Sequence, residues 1–375
     1  MTRWNENLVP RTAGGLSVVA AGPQDLPCVS RLFTRYLATT AFSEHGPDAA
    51  RLQAWLHEIL SSHLWLVLLL RSPQCECECE CECECECECE CECECEGQVQ
   101  GFALAQYGGY EVDPERRILR CRHLYVDPSV ACSLRSASAL LVDALVEAAR
   151  RSPQLVDVFL ITFGAQRLDA LRRACERRGF RRIGTQHLGL CTQAPRLPNG
   201  PRPPPRALEL PSGLHPIASR QEVDAALYRQ LRRQAEAFFR ESGRTGLGPI
   251  ELDLDRLIAQ ALRPDPGGRP AALLALRDGQ LAGFIAAAPA WLAPLEWRLL
   301  QSSFFYVDPA HRGGRVGLSL FEGLSRLAAS HGFEGVYLGT SGEIQTPRTC
   351  RLLALRGYRH QGDVLALRLQ TSAGA

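Results

Sequence analysis

The residues best suited to chemistry form a basic, glycine-rich turn from His311 to Gly317. Strand-forming residues precede it, and Asp308-Pro309 ends that strand because proline cannot donate to a sheet ladder. From Leu318 the apolar residues repeat at helical spacing. Unpaired amides and the positive dipole end at the start of a helix favour a phosphate or diphosphate. The segment therefore predicts a turn that binds such an anion.

This corner resembles the acyl-coenzyme A site of the GNAT superfamily of N-acetyltransferases. The family shows Arg or Gln, two variable residues, Gly, one variable residue and Gly or Ala, placed between a strand and a helix. The corresponding residues here are Arg312, Gly313, Gly314, Arg315, Val316 and Gly317. The first arginine and the last glycine agree, but the middle glycine stands one residue early, at Gly314.

The resemblance implies that this loop binds the diphosphate of acetyl-CoA, the co-substrate, with charge-assisted contacts from Arg312 and Arg315. It also implies that backbone groups along one strand pair with the pantetheine arm, at Phe305, Tyr306 and Val307. The implied reaction is acyl transfer, most simply of acetyl, to a primary amine that attacks the thioester directly.

Candidates for proton transfer are fewer. Members of the family often have a tyrosine four residues before the Gly-Phe that follows the last helix, but this chain has Leu353 there and, in its first half, Cys175. A cysteine on an apolar helix face is more typical of a core than of an acid. The candidate bases are two glutamates. Glu296 lies at the start of the strand that precedes the glycine-rich turn, and Glu343 lies in the loop after the next predicted strand.

Three segments of the first half recur in the second at offsets of 182, 181 and 178 residues. The pairs are Gly101-Phe102-Ala103 with Gly283-Phe284-Ile285, Tyr125-Val126-Asp127-Pro128 with Tyr306-Val307-Asp308-Pro309, and Arg178-Gly179-Phe180-Arg181 with Arg356-Gly357-Tyr358-Arg359. Collinear matches at nearly one spacing indicate an internal duplication. The predicted fold class is α/β (mixed α+β), with two tandem GNAT-like domains, each a mixed, mostly antiparallel sheet flanked by helices.

The predicted domains are 1–192, a Pro-rich linker at 193–213, and 214–371. Each half is expected to run strand, two helices, three strands, helix, strand, helix, strand. The last strands are predicted at Arg182–Cys191 and Val364–Leu369, where apolar residues cluster.

The first half has a different turn at the position of the glycine-rich loop. The segment SVACSLRSASA, which follows Pro128, contains no glycine. Because Cβ atoms would crowd the approach of a diphosphate to the backbone, the first domain is expected to be degenerate and not to bind cofactor. In the alternative, Ser133, Ser136 and Ser138 are small enough to admit the ligand.

Eleven consecutive Cys-Glu pairs occupy Cys75 to Glu96, inside the first predicted hairpin. Such an array could bind soft metal ions such as zinc or copper(I). The alternative, which we favour, is a tandem expansion that encodes a disordered loop, because perfect repetition fits slippage better than a site of fixed geometry. No metal site is predicted elsewhere, since the other six cysteines are scattered.

Outside the repeat, 42 basic residues face 30 acidic ones, and every basic residue is arginine. Two readings stay open, a phosphate-rich partner or a GC-rich coding bias. No basic block with interleaved aromatics supports nucleic acid. No apolar run is long enough for a membrane span and no signal peptide is visible, so a cytoplasmic location without a membrane partner is expected.

The sequence thus predicts an acyl-CoA-dependent N-acyltransferase whose partner is a small-molecule or peptide amine. Two alternatives remain: a non-catalytic module that senses acyl-CoA, and a metal-responsive interaction protein acting through the Cys-Glu segment. The acceptor and the oligomeric state do not follow from the sequence.

Overall fold

The two halves of the chain contain the same succession of helices and strands. The computed structural model describes residues 11–40, 48–72, 99–110, 113–129, 134–161, 168–190, 207–242, 253–265, 268–292, 297–341 and 346–369. The first half comprises β1 (Arg11–Ala13), β2 (Leu16–Ala20), α1 (Leu26–Ala38), α2 (Ala49–Ser61), β3 (Trp65–Arg71), β4 (Val99–Tyr110), β5 (Asp113–Val126), α3 (Leu134–Arg150), β6 (Leu155–Ile161), α4 (Leu168–Glu176) and β7 (Arg181–Leu190).

The second half repeats this order apart from the short β1. It comprises β8 (Leu214–Ile217), α5 (Ala225–Ser242), α6 (Leu254–Ala261), β9 (Ala272–Arg277), β10 (Gln280–Leu292), β11 (Trp297–Val307), α7 (Val316–Ser330), β12 (Gly335–Ser341), α8 (Thr346–Leu355) and β13 (Arg359–Arg368). None of the described helices is long and apolar enough to cross a membrane.

Alternation along the strands explains why helices cover both faces of each half. In β3, Val67 and Leu69 pack with the apolar sides of α1 and α2, whereas Leu66, Leu68 and Leu70 pack with α3. Successive side chains of a strand point to opposite faces, so a strand with both sets apolar is buried on both sides. The predicted fold class, a mixed and mostly antiparallel sheet flanked by helices, is confirmed.

The duplication is also visible in the strand registers. Gly101 is the Cα partner of Val126, and Gly283 is the partner of Val307. A Cβ atom on Gly101 would lie 2.7 Å from the carbonyl oxygen of Tyr125, and one on Gly283 would lie 2.7 Å from that of Tyr306. Glycine is thus required twice by the same close approach of two strands.

All the described strands form one 13-stranded sheet in the order β1-β2-β3-β4-β5-β6-β13-β7-β12-β11-β10-β9-β8. The two last strands are exchanged between the halves. β13 lies antiparallel to β6 of the first half, β7 lies antiparallel to β12 of the second, and the two exchanged strands pair with each other. Each half is therefore completed by a strand from the other.

Candidate active site

The candidate site begins where two neighbouring parallel strands part. β11 and β12 are paired from Leu299 with Gly335 to Gln301 with Tyr337. Just beyond, the Gly339 N–H donates to Ser302 Oγ at 3.2 Å, and β11 has a bulge opposite Ala286 and Ala287. Strands that share no further ladder bonds leave a wedge whose backbone groups can pair with an extended ligand.

The turn after β11 is built to expose amide groups. Asp308 Oδ1 accepts a hydrogen bond from Ala310 N–H at 2.9 Å, which starts a 3-10 turn over Pro309–His311. Gly313 then adopts φ +104°, a conformation that favours glycine. The Ser319 N–H donates to the Arg315 carbonyl at 2.9 Å as α7 starts, so the amides of 316–318 precede this bond. These amides and the helix dipole suit an anion.

Arg312 contacts the protein rather than open solvent. Its Nε donates to the Val307 carbonyl at 2.8 Å, and its two terminal nitrogens each lie 2.9 Å from a Glu241 oxygen. The Tyr306 hydroxyl donates to the same carboxylate at 2.7 Å, and burial followed by Glu241 raises the pKa of that phenol. The arrangement ties the loop to α5, and the predicted contact of Arg312 with a diphosphate stays a prediction.

Two other arginines present their charge at the loop. Arg315, just before α7, is exposed and has no acidic partner within the described ranges. Arg348, in the first turn of α8, is also exposed, and one of its terminal nitrogens lies 3.5 Å from where a Cβ on Gly313 would be. Sequence reasoning missed Arg348, because its distance from the loop along the chain is large; its place at a helix start was the available signal.

The other residues predicted to contact the cofactor lie where β11, the loop and α7 meet. The ring of Phe305 lies tilted against that of Phe321 of α7 with centroids 4.5 Å apart, and Val307 packs against the same core. A Cβ on Gly317 would lie 3.6 Å from the Phe305 ring. Val316 is buried, whereas Gly314 is exposed. The strand and the loop are thus fixed against α7.

The predicted bases, Glu296 and Glu343, lie outside the described residues, so their roles stay predictions. The two positions of the family tyrosine are both in the core: Leu353 and Cys175 are fully buried. Burial raises the pKa of the Cys175 thiol to about 12, which leaves it protonated at neutral pH. Neither residue offers a proton to a ligand.

The strand exchange creates a polar cluster that sequence reasoning did not find. Thr185 and His187 of β7 meet Thr340 and Cys350 of the second half. The Cys350 thiol lies 3.4 Å from His187 Nε2, and the Thr185 hydroxyl lies 2.6 Å from that of Thr340. Burial, followed by His360, lowers the pKa of His187 to about 4, so the ring is neutral. The contacts of Thr185 and His187 with Thr340 and Cys350 join the two halves.

The described residues contain no group of three or more His, Cys, Asp or Glu side chains able to hold a metal ion. The Cys-Glu segment lies outside them. Described residues on either side of it, Arg71 and Val99, are Cα partners in β3 and β4.

Residues 229–358 match the model of the acetyltransferase (GNAT) family. No curated protein matches the chain. Among solved structures, a GCN5-related N-acetyltransferase from Sphaerobacter thermophilus is 16% identical over 96% of this chain and 97% of its own, with a TM-score of 0.49. A tandem GNAT protein from the clavulanic acid biosynthesis pathway is 15% identical over 96% and 100%, with a TM-score of 0.39. Structural similarity at these sequence identities does not assign a function, which must be argued from the site.

Proposed function

We propose, on the premise that residues 229–358 are a domain of the acetyltransferase (GNAT) family, that this protein transfers an acyl group from acyl-CoA to a primary amine. The transferred group is most simply acetyl, and the second half binds the donor. The observation that carries the proposal is the family match over the segment that also holds the parted strands and the amide-rich loop.

The loop supports a diphosphate at the start of α7. A diphosphate there would accept hydrogen bonds from the amides between Gly313 and Gly317, in the turn where Gly313 has a positive φ. Arg315 would add a charge-assisted contact, since no acidic partner among the described residues neutralises it.

Arg312 takes a different role in this proposal. Its charge is already matched by Glu241, and its Nε holds the Val307 carbonyl at the end of β11. A guanidinium with a bidentate carboxylate partner gains little by moving to a ligand. We therefore assign Arg312 to positioning the loop, and its removal should weaken donor binding through a disordered turn rather than through a lost phosphate contact.

The chemistry asks little of the protein beyond placement. The wedge between β11 and β12 would align the pantetheine arm with the amine, which forms a C–N bond to the thioester carbon as the C–S bond breaks. CoA leaves as its thiolate, which takes up a proton from solvent. The amine proton leaves to a base, for which Glu296 and Glu343 remain the candidates, or to water. Neither core position, Leu353 or Cys175, takes part.

The first half is proposed to bind no donor. Its turn after β5 lacks glycine, and part of it (residues 130–133) lies outside the described residues. Its contribution is structural, because β7 completes the sheet of the second half beside β12. Titration should accordingly give one molecule of acyl-CoA per chain.

The test combines calorimetry with a thiol-release assay. Acetyl-CoA is titrated into the intact chain and into Arg315→Ala. Arg326→Ala is the matched control, since Arg326 is an exposed arginine of α7 that pairs with Glu322. Loss of a charge-assisted phosphate contact should weaken binding about tenfold in Arg315→Ala and leave Arg326→Ala unchanged. Turnover is then measured over peptides, polyamines, aminoglycosides and amino acids.

The absence of heat with acetyl-CoA for the wild-type chain would overturn the proposal. The second candidate, a non-catalytic sensor of acyl-CoA, is favoured by the buried Leu353 at the position of the family tyrosine. It predicts the same heat but no thiol release with any amine.

A further inference from the structure

Arg348 of α8 lies over the glycine-rich loop, although it follows that loop by a whole strand. Its two terminal nitrogens are 3.5 and 3.8 Å from where a Cβ atom on Gly313 would be. A side chain at position 313 would therefore stand between the guanidinium and the backbone of the loop. Gly313 has none, and its φ of +104° disfavours any other residue. The guanidinium thus faces the bare backbone at the loop.

Two arginine charges at this loop are not matched by a carboxylate. Arg315 precedes α7, and Arg348 is exposed in the first turn of α8. Neither has an acidic partner in the part of the chain that the structure describes. Arg312, by contrast, is paired with Glu241. The two unmatched guanidinium groups favour an anionic ligand here.

The diphosphate of an acyl-CoA has the charge that these two arginines would match. Each of its phosphate groups carries one negative charge and presents a pair of free oxygens, which a planar guanidinium can bind with two parallel hydrogen bonds. A contact from Arg315 alone would leave the other phosphate without an arginine partner. Arg348 is placed to supply it, because its terminal nitrogens are already at Gly313.

The helix that carries Arg348 is anchored to both halves of the chain. Leu353 of the same helix is fully buried in the core of the second half. The Cys350 thiol lies 3.4 Å from Nε2 of His187, which belongs to β7 of the first half. Arg348 therefore extends from a fixed backbone, and ordering its side chain on a ligand costs less than ordering a mobile loop as well.

We infer that Arg348 binds one phosphate of the donor's diphosphate while Arg315 binds the other, so that α7 and α8 hold the diphosphate together. The inference rests on the proposed function. It extends the anion site from the turn before α7 to a helix that follows β12. Because Cys350 joins that helix to β7, the first half supports donor binding without contacting the donor.

The experiment measures acetyl-CoA binding to the full chain by calorimetry, in Arg348→Ala and in Arg351→Ala. Arg351 is the matched control, because it is an exposed arginine one turn further along α8. Loss of charge-assisted hydrogen bonds to a phosphate should weaken acetyl-CoA about tenfold in Arg348→Ala. Arg351→Ala removes the same charge from the same helix and should stay within about twofold of wild type, because salt screens an exposed charge that makes no contact.

Two further donors identify the phosphate that Arg348 contacts. Acetyl-dephospho-CoA keeps the diphosphate but lacks the phosphate on the ribose, and acetylpantetheine lacks both. Arg348→Ala should weaken acetyl-dephospho-CoA by the same factor as acetyl-CoA and leave kcat/KM with acetylpantetheine unchanged. With acetyl-CoA, KM should rise about tenfold at constant kcat, because the contact is equally strong in the ground state and the transition state.

Wild-type affinity in Arg348→Ala, an equal loss in Arg351→Ala, or a loss confined to acetyl-CoA would overturn the inference and leave the proposed acyl transfer intact. A wild-type chain that does not bind acetyl-CoA would overturn both. Arg348→Lys decides the case in which Arg348→Ala does not fold, because it keeps the charge but lacks the planar fork. It should bind acetyl-CoA about threefold more weakly than wild type, and an unchanged affinity would contradict the paired hydrogen bonds.

Discussion

The Cys-Glu segment can be replaced by a turn that the chain already contains. In the second half, Arg277 and Gln280 are Cα partners joined by Asp278-Gly279, with φ of 50° and 73°. Two positive φ values are typical of the two-residue turn that suits a hairpin. Arg71 and Val99 are Cα partners in the first half, so Ser72 and Gln98, the next residues inward along the sequence, are taken as the ends of the replacement. The change is therefore replacement of residues 73–97 by Asp-Gly.

The expected effect is stabilisation. The segment removed has 25 residues and its replacement has two. Because closing a flexible loop costs about 0.6 kcal/mol for each doubling of its length, the free energy of unfolding should rise by about 2 kcal/mol. This value applies to a disordered loop, which is what the sequence predicts for the segment. Acyl transfer should be unchanged, since the hairpin of β3 and β4 lies in the half proposed to bind no donor.

Urea denaturation of the intact and shortened chains measures the difference. The matched control keeps the length and replaces the eleven cysteines of the repeat by serine; its free energy of unfolding should equal that of the wild type. A shortened chain that is less stable, or that loses activity while the serine variant also loses it, would refute the reasoning and favour the metal-responsive alternative. Zinc or copper(I) should have no effect on the wild-type turnover.

Two further predictions concern stability. Gly283→Ala should lower the free energy of unfolding by about 1–3 kcal/mol, because its Cβ would lie 2.7 Å from the Tyr306 carbonyl, whereas Gly108→Ala, with open space, should not; urea denaturation checks both. Burial lowers the pKa of His187 to about 4, so the unfolded chain binds more protons below pH about 6.5, and stability should fall as pH is lowered from there toward 4; this slope should flatten in His187→Gln.

Much of the site could be predicted from local sequence. The strand ending at Val307, the glycine-rich turn and the helix after it depend on neighbours in the chain. β11 ends at Val307 as expected, and α7 begins at Val316, two residues before the expected Leu318. The duplication was predicted from three pairs of matched segments. The structure gives the reason for one pair, because Gly101 and Gly283 make the same close strand contact in the two halves. Local propensity and periodicity carry such features because their causes lie within a few residues.

Contacts between distant segments were not predictable in this way. β13 begins at Arg359, before the apolar run expected from Val364, because its first residues pair with β7 rather than entering a core. The pairing of Arg312 with Glu241 and the approach of Arg348 to Gly313 likewise join residues far apart in sequence. The spacing of residues within one helix or strand cannot predict contacts between residues that are far apart in the sequence.

The sequence by itself determined the elements, their repetition and the glycine-rich turn, since each follows from short-range pattern. Only the tertiary structure decided which half each last strand completes, because that choice lies in strand pairing between the halves. That choice places Gln186 beside Tyr337 and His187 beside Cys350. Side chains of the first half thereby meet the wedge that the second half builds.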